Sequence, residues 1–185
     1  MPSKPIPEPW QSFFAEIDKS LKKQVSLHCL GGFVMTILYG LDRPTADVDV
    51  LPIGANSGTE SLLSLAGKGS VLHQKYKVYL QVVGIATVPV NYEDRLKEMF
   101  PGALKHLRLF ALDPYDLALS KLERNTQRDR DDVKHLARTV PLDLNVLEER
   151  YQEELRPDLG NPKREDLTLK LWIEMIEEER KSRKA

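Results

Sequence analysis

Asp47 and Asp49 stand one residue apart in a stretch of strand-like composition, Asp47-Val48-Asp49-Val50. In a strand, residues two apart point to the same face, with Cα atoms about 6–7 Å apart. Two carboxylates directed the same way repel each other unless a cation neutralises them, and oxygen ligands of this kind suit Mg²⁺ or Mn²⁺. The spacing therefore predicts a platform for a metal-bound nucleoside triphosphate. The competing interpretation is a solvated edge strand whose valines face the core.

A glycine pair strengthens the metal interpretation. Residues 25–30 have the composition of a buried strand and residues 33–39 that of a short apolar helix, so Gly31 and Gly32 fall at a strand-to-helix turn. Small residues there let backbone N–H groups and the helix N-terminus approach a phosphate. A phosphate cradle and a metal platform are thus predicted in consecutive elements.

The run from Gly31 to Asp49 consists of Gly-Gly, a short helix and Arg-x-Thr-x-Asp-x-Asp. It resembles the signature of the polymerase-β-type nucleotidyltransferase superfamily, and especially its small bacterial members related to abortive-infection and other toxin–antitoxin transferases. A second block, with Asp116 and Lys121 followed by residues 128–133, is similar to that group's Asp-x-x-x-x-Lys helix and Arg-Asp-x-x-Asp helix. The resemblance covers about residues 25–137.

The resemblance implies a role for each matching residue. Asp47 and Asp49 are implied to bind the metal cofactor, Mg²⁺ or Mn²⁺. Nucleotide binding is implied for five residues: Gly31, Gly32, Arg43, Thr45 and Lys121. The two glycines would cradle the triphosphate, and the other three would brace the phosphate loop or contact phosphate. The alternative interpretations are turn residues for Arg43 and Thr45 and an ordinary exposed lysine for Lys121.

The chain departs from the family pattern at the third carboxylate, which polymerase-β-type enzymes usually supply from a neighbouring strand. No Asp or Glu occurs between Glu60 and Glu93, and the strand predicted at residues 78–83 offers only the neutral Gln81. Either activity has been lost or another acid serves as base or third ligand. The resemblance favours Asp129, with Asp132 second; the alternative is a solvated, salt-bridged helix start.

Composition sets limits on the class of protein. The chain has 185 residues, a net charge of −1 and 30% charged residues, so a nucleic-acid substrate would need a local basic patch. Its single cysteine, Cys29, excludes a disulfide framework and falls in an apolar strand, where a packed thiol is expected. The sequence shows neither a signal peptide nor a membrane span, which predicts a cytoplasmic protein with no membrane partner.

Periodicity and turn signals predict an α+β fold, a nucleotidyltransferase-type mixed sheet flanked by helices with a C-terminal helical region. A core at residues 1–112, including an N-terminal helix, is followed by helices at 113–185. Strands are predicted at 25–30, 47–52, 78–83, 85–90 and 107–112. Helices are predicted at 9–23, 33–40, 59–67, 92–99, 114–125, 129–139, 144–155 and 163–181, with a small-residue loop at 54–58. An apolar stripe on the last helix is expected to be core or a docking face: Leu167, Leu171, Trp172, Met175 and Ile176.

The expected function is metal-dependent transfer of a nucleoside monophosphate from an NTP to an acceptor hydroxyl, in a toxin-like enzyme with Asp47, Asp49 and Asp129 as catalytic residues. The acceptor stays open between an RNA such as a tRNA end, a protein hydroxyl and a small molecule. The alternative is a catalytically silent nucleotide- or partner-binding module of the same fold, such as a toxin–antitoxin component. A third interpretation is a regulatory protein bound to an antitoxin-like partner, with the C-terminal helices as the main interface.

Overall fold

The computed structural model describes residues 5–52, 58–84 and 87–182. Contacts divide the chain into two units: Met1–Ile85 with Leu96–Ala111, and Ala86–Arg95 with Leu112–Ala185. The second unit therefore includes a short segment that precedes the last two strands of the first. Among the described residues, none of the helices combines the length and the apolar composition that crossing a bilayer requires.

A five-stranded mixed sheet forms the centre of the first unit. Its strands are β1 (Val25–Leu30), β2 (Asp47–Val50), β3 (Tyr79–Val82), β4 (Lys97–Met99) and β5 (Leu107–Ala111). The order across the sheet is β3-β2-β1-β5-β4. The β1–β5 and β2–β3 pairs are parallel, and the β1–β2 and β4–β5 pairs are antiparallel. The predicted α+β class with a mixed sheet is confirmed.

Helices of the first unit cover this sheet: α1 (Trp10–Ser20), α2 (Gly31–Tyr39), α3 (Gly58–Ala66) and α4 (Val71–Tyr76). The apolar face of α1 is buried at Trp10, Phe13, Phe14 and Ile17. The Trp10 ring meets Phe33 of α2 edge-on, with 4.8 Å between centroids. This aromatic contact packs α1 against the helix that follows the glycine pair.

The second unit is helical, as expected, with α5 (Pro114–Leu119), α6 (Gln127–Thr139), α7 (Leu144–Arg150) and α8 (Lys163–Ser182). A π-helical turn, Tyr151–Leu155, continues α7. The stripe predicted on α8 divides between two environments. Trp172 and Ile176 are buried, whereas Leu167 and Leu171 are 58% and 53% exposed. The Trp172 indole N–H also donates to Asn125 Oδ1 at 3.0 Å, which anchors α8.

Two predicted elements are wrong. The helix predicted at 92–99 is a 3₁₀ turn, Tyr92–Arg95, followed by strand β4. Its residues favour a helix locally, but pairing of Lys97 with Ala111 in β5 overrides that preference. The strand predicted at 85–90 is absent at 87–90, where Pro89 lacks the N–H that a ladder needs, and residues 85–86 lie outside the described residues.

The remaining differences are one helix that was not predicted and several elements whose ends differ from the predicted ones. Helix α4 was not predicted; Ser70 caps it by accepting the His73 N–H. The helix predicted at 114–125 ends at Leu119 and continues as turns. Helix α2 begins at Gly31 rather than at residue 33, and β2 ends at Val50 rather than at residue 52. Of the loop predicted at 54–58, residues 54–57 lie outside the described residues.

Candidate active site

Strand β1 runs directly into α2 at the glycine pair. Leu30 is extended, and Gly31, the first residue of α2, has a φ of +73°, a conformation that L side chains rarely adopt. Phe33, Val34 and Met35 are buried and hold the first turns of the helix against the core. The predicted strand-to-helix turn is therefore present, and its backbone conformation requires glycine at position 31.

The acid pair lies on the half-buried face of β2. Val48 and Val50 are 0% and 3% exposed, whereas Asp47 and Asp49 alternate with them and are half-buried. This alternation is what the sequence predicted, and it puts both carboxylates on one face.

The glycine turn and the acid pair meet at Asp49. In the antiparallel β1–β2 pair, Asp49 lies opposite Leu30, the residue that precedes Gly31. A Cβ atom added to Gly31 would overlap Oδ2 of Asp49 and lie 3.1 Å from its Cγ. The Asp49 carboxylate therefore occupies the space beside the Gly31 backbone, at the N-terminus of α2.

Neighbouring side chains hold the two carboxylates. The Thr45 hydroxyl donates to Oδ1 of Asp47 at 2.7 Å, and the Gln81 side-chain N–H donates to Oδ1 of Asp49 at 3.2 Å. Thr36 of α2 donates to the Arg43 carbonyl oxygen at 3.0 Å, which ties the loop before β2 to the helix. Thr45 therefore contacts a predicted metal ligand. The Gln81 contact follows from strand register, which sequence spacing did not reveal.

The charge of Asp49 also acts on its neighbour in β1. Cys29 is fully buried, and burial together with the nearby Asp49 carboxylate raises the pKa of its thiol well above the ordinary value. The thiol donates to the Leu27 carbonyl oxygen at 3.8 Å. Cys29 is thus a packed thiol, as the sequence indicated, and not an activated nucleophile.

Lys121, in the second unit, lies in the turns after α5 and forms an ion pair with Asp132 of α6, with 3.0 Å between Nζ and Oδ2. The two side chains are 4% and 1% exposed. A buried, paired lysine is uncommon. The alternative interpretation of Lys121 as an ordinary exposed lysine is therefore wrong.

Asp129 is held in the N-terminal capping box of α6. Its carboxylate accepts hydrogen bonds from the Arg124 guanidinium and from both the backbone N–H and the hydroxyl of Thr126. Although burial opposes ionisation, these donors lower its pKa from 3.8 to about 2. A carboxylate so stabilised is a weak proton acceptor at neutral pH.

A buried charge cluster was missed by sequence reasoning. Asp116 is 0% exposed and accepts hydrogen bonds from Arg95 and Arg150. Arg95 also donates to Glu154, and Arg150 to Asp113. The only local signal was the Asp113-Pro114 start of a helix, where Asp113 caps α5.

Comparison with known proteins bears on both units. Residues 11–180 match the model of a family described as nucleotidyltransferase of unknown function (DUF6036). The chain belongs to this family. No curated protein and no solved structure matches the chain.

The DUF6036 match includes the glycine turn, the acid pair, the Lys121–Asp132 pair and the capping box of α6. The superfamily that the sequence suggested, nucleotidyltransferases, is therefore the one to which the chain belongs.

The donor chemistry of this DUF6036 protein fits a hard divalent cation. Asp47 and Asp49 offer carboxylate oxygens on one face, and Mg²⁺ in proteins commonly uses one or two carboxylates, with substrate phosphates and water completing its shell. Across residues 5–52, 58–84 and 87–182, no group of three or more His, Cys, Asp or Glu side chains is placed to hold a metal. The fit is to a two-carboxylate site.

Proposed function

We propose that the protein transfers a nucleoside monophosphate from an NTP to an acceptor hydroxyl in a reaction that depends on Mg²⁺ or Mn²⁺. The observation that carries the proposal is the contact between the predicted phosphate cradle and the predicted metal platform: the Asp49 carboxylate lies against the Gly31 backbone. A phosphate at the N-terminus of α2 and a metal on the acid pair would then share one location. Membership of the nucleotidyltransferase family supports the reaction class.

Residues of the first unit carry the proposed binding roles. Asp47 and Asp49 hold the metal, with Thr45 and Gln81 orienting their oxygens. Gly31 and Gly32 present backbone N–H groups to the triphosphate, and Arg43 supports the adjoining loop. A bound Mg²⁺ or Mn²⁺ supplies positive charge that offsets the charge of the triphosphate and of the leaving pyrophosphate.

The proposed reaction is an in-line displacement. The acceptor hydroxyl oxygen forms a bond to the α-phosphorus, while the bond from that phosphorus to the oxygen bridging to the β-phosphate breaks. Pyrophosphate leaves with that electron pair, and the hydroxyl proton passes to a carboxylate or to water. Positioning and charge neutralisation carry such a step, so no covalent nucleophile is needed.

Lys121 and one acid are the proposed contributions of the second unit. Lys121 would bind phosphate, and the third acid is proposed as in the sequence analysis, with Asp129 first and Asp132 second. Both carboxylates already have partners: Asp129 accepts the hydrogen bonds of the capping box, and Asp132 pairs with Lys121. If Asp129 were nevertheless the base, Asp129→Asn would lower the transfer rate by about 10²–10⁴.

A catalytically silent module of the same fold is the second candidate. It is favoured by the neutral Gln81 on the strand beside Asp49, where a third carboxylate would be expected. Such a module would bind an NTP without releasing pyrophosphate. The exposed Leu167 and Leu171 on α8 support a protein partner, and a toxin-like role with an antitoxin partner is one form of this proposal.

The test is transfer of label to a cell extract. The purified protein is incubated with each α-labelled NTP and Mg²⁺, and labelled RNA, protein and small molecules are separated; pyrophosphate release is measured in parallel. Asp47→Asn and Asp49→Asn should each lower labelling by about 10²-fold or more, the scale of losing a group that stabilises transition-state charge. Asp42→Asn, in the exposed loop before β2, is the matched control. Wild-type turnover in either site variant would overturn the assignment.

A further inference from the structure

We infer that Gln81 positions Asp49 and, by being neutral, makes the site take its metal together with the nucleotide rather than as a free ion. The inference rests on the proposed function and adds to it a positioning residue, Gln81, whose neutral side chain leaves the two-carboxylate site dependent on the nucleotide for holding its metal. Its three parts are the register of β2 and β3, the hydrogen bond between the two side chains, and the charge of the donor set.

The register places Gln81 beside the metal platform. In the parallel β2–β3 pair, Asp49 is matched with Gln81 and Asp47 with Tyr79. Neighbouring strands are about 4.8 Å apart, so matched side chains on one face are in contact distance. The Gln81 side chain is exposed, and its Nε2 donates to Oδ1 of Asp49 at 3.2 Å. Gln81 is therefore oriented by the same carboxylate that is proposed to hold the metal.

The charge of the set limits its affinity for a free cation. Asp47, Asp49 and Gln81 together carry two negative charges, and affinity for a hard divalent ion rises with the number of charged ligands. Mg²⁺ also gives up its water reluctantly, so two carboxylates compete poorly with hydration. The triphosphate adds negative oxygens of its own, and the metal then has enough anionic ligands. Free metal should bind weakly and nucleotide-bound metal well.

The side-chain amide of Gln81 contributes a hydrogen-bond donor, which an ionised carboxylate at this position would lack. An ionised glutamate at this position could not donate to Asp49, and its charge would repel the Asp49 carboxylate until a cation arrived. Gln81→Glu should therefore convert the pair into a three-carboxylate site that binds free metal. Gln81→Ala removes the donor without adding charge, which separates the positioning role from the charge effect.

The first experiment measures binding of Mn²⁺ alone, without nucleotide, from the electron paramagnetic resonance signal of the free ion. Gln81→Glu should bind Mn²⁺ about tenfold or more tightly than wild type, in line with the effect of ligand charge count on affinity. Asp49→Asn in the Gln81→Glu background should abolish that gain. Gln74→Glu is the matched control, because Gln74 is also exposed and also donates through Nε2, to Gly69 O at 3.2 Å; its affinity should stay at the wild-type value.

A second experiment measures binding of non-hydrolysable NTP analogues by calorimetry, with and without Mn²⁺. Wild type should bind the analogue only with the metal present, and Gln81→Ala should weaken that binding several-fold while free Mn²⁺ binding stays weak. Tight binding of free Mn²⁺ by folded wild type, or a folded Gln81→Glu variant with no gain, would overturn the inference. The measurement of free Mn²⁺ binding contains no nucleotide, so its result is independent of the label-transfer test. Failure of label transfer would instead overturn the proposed function.

Discussion

At the scale of single residues, Gly31 matters most because two independent constraints meet there. Its φ of +73° disfavours an L side chain, and its neighbour in space is the Asp49 carboxylate. Gly40, which ends α2 with a φ of +66°, has the same conformational requirement but open space around it. Comparing substitutions at the two glycines therefore separates the cost of backbone strain from the cost of the close approach to Asp49.

Gly31→Ala should lower the free energy of unfolding by more than Gly40→Ala. The left-handed conformation alone costs an alanine about 1–2 kcal/mol, and the overlap with Asp49 adds to that at position 31 only. Urea denaturation of both variants measures the difference. In an Asp49→Ala background the cost of Gly31→Ala should approach that of Gly40→Ala; equal costs in the wild-type background would show that the close approach carries no energy.

At the scale of elements, α6 begins with a capping box whose carboxylate has an unusual pKa. Asp129 has a pKa of about 2 in the folded protein, below its ordinary 3.8. Because the folded-state pKa is depressed, its contribution to stability is fully present above pH 4 and is lost as the pH falls toward 2. The contribution is at most about 2 kcal/mol, and less because the Arg124 partner is exposed.

Asp129→Asn should therefore lower stability at neutral pH and flatten its dependence on pH between about 4 and 2. Denaturant melts across that range measure both effects. Thr126→Ala, which removes the other half of the box, should cost about 1 kcal/mol at neutral pH. A pH dependence in Asp129→Asn as steep as that of wild type would contradict the pKa assignment. If Asp129 acts only as a cap, the folded variant should keep its transfer rate.

Sequence patterns predicted the elements in which local preference and tertiary packing agree. Strand β1 was predicted with its bounds, and the alternation in β2 and the glycine turn into α2 were predicted from residue types. Where pairing partners decide, prediction failed. Strand β4 depends on β5, and its helix-favouring residues gave no sign of that pairing.

The same distinction holds for the candidate site. Side chains within one turn or strand, such as Asp47 and Asp49, could be associated from spacing alone. Contacts between distant segments could not: the Gln81–Asp49 hydrogen bond follows from strand register, and Arg95 meets Asp116 and Glu154 across long stretches of chain. These contacts depend on folded geometry rather than on sequence spacing.

At the scale of the whole molecule, the buried charge cluster secures the segment that precedes β4 to the helices of the second unit. Arg95 donates to two carboxylates, and Asp116 among them is fully buried. Burial raises the pKa of Asp116 in spite of the two arginines beside it. Removing one arginine therefore leaves a buried carboxylate poorly compensated.

Arg95→Met should destabilise the protein by roughly 3 kcal/mol at neutral pH, the scale of breaking a buried ion pair. Because the raised pKa favours protonated Asp116 in the folded state, the deficit should shrink as the pH falls through that pKa. Thermal melts from pH 7 to 4 test this. Arg156→Met breaks the pair with Asp166, whose side chains are 40% and 34% exposed, and should have a smaller effect. Equal losses in the two variants would argue against burial as the cause.

The path of the chain has a consequence for how such a protein can vary. The backbone passes from one unit to the other after residues 85, 95 and 111. A single recombination junction after residue 111 would therefore separate Arg95 from Asp116 and Glu154 and give each daughter sequence an incomplete cluster. Exchange of one whole unit between relatives needs several junctions at once. The two units should therefore be inherited as one linked block.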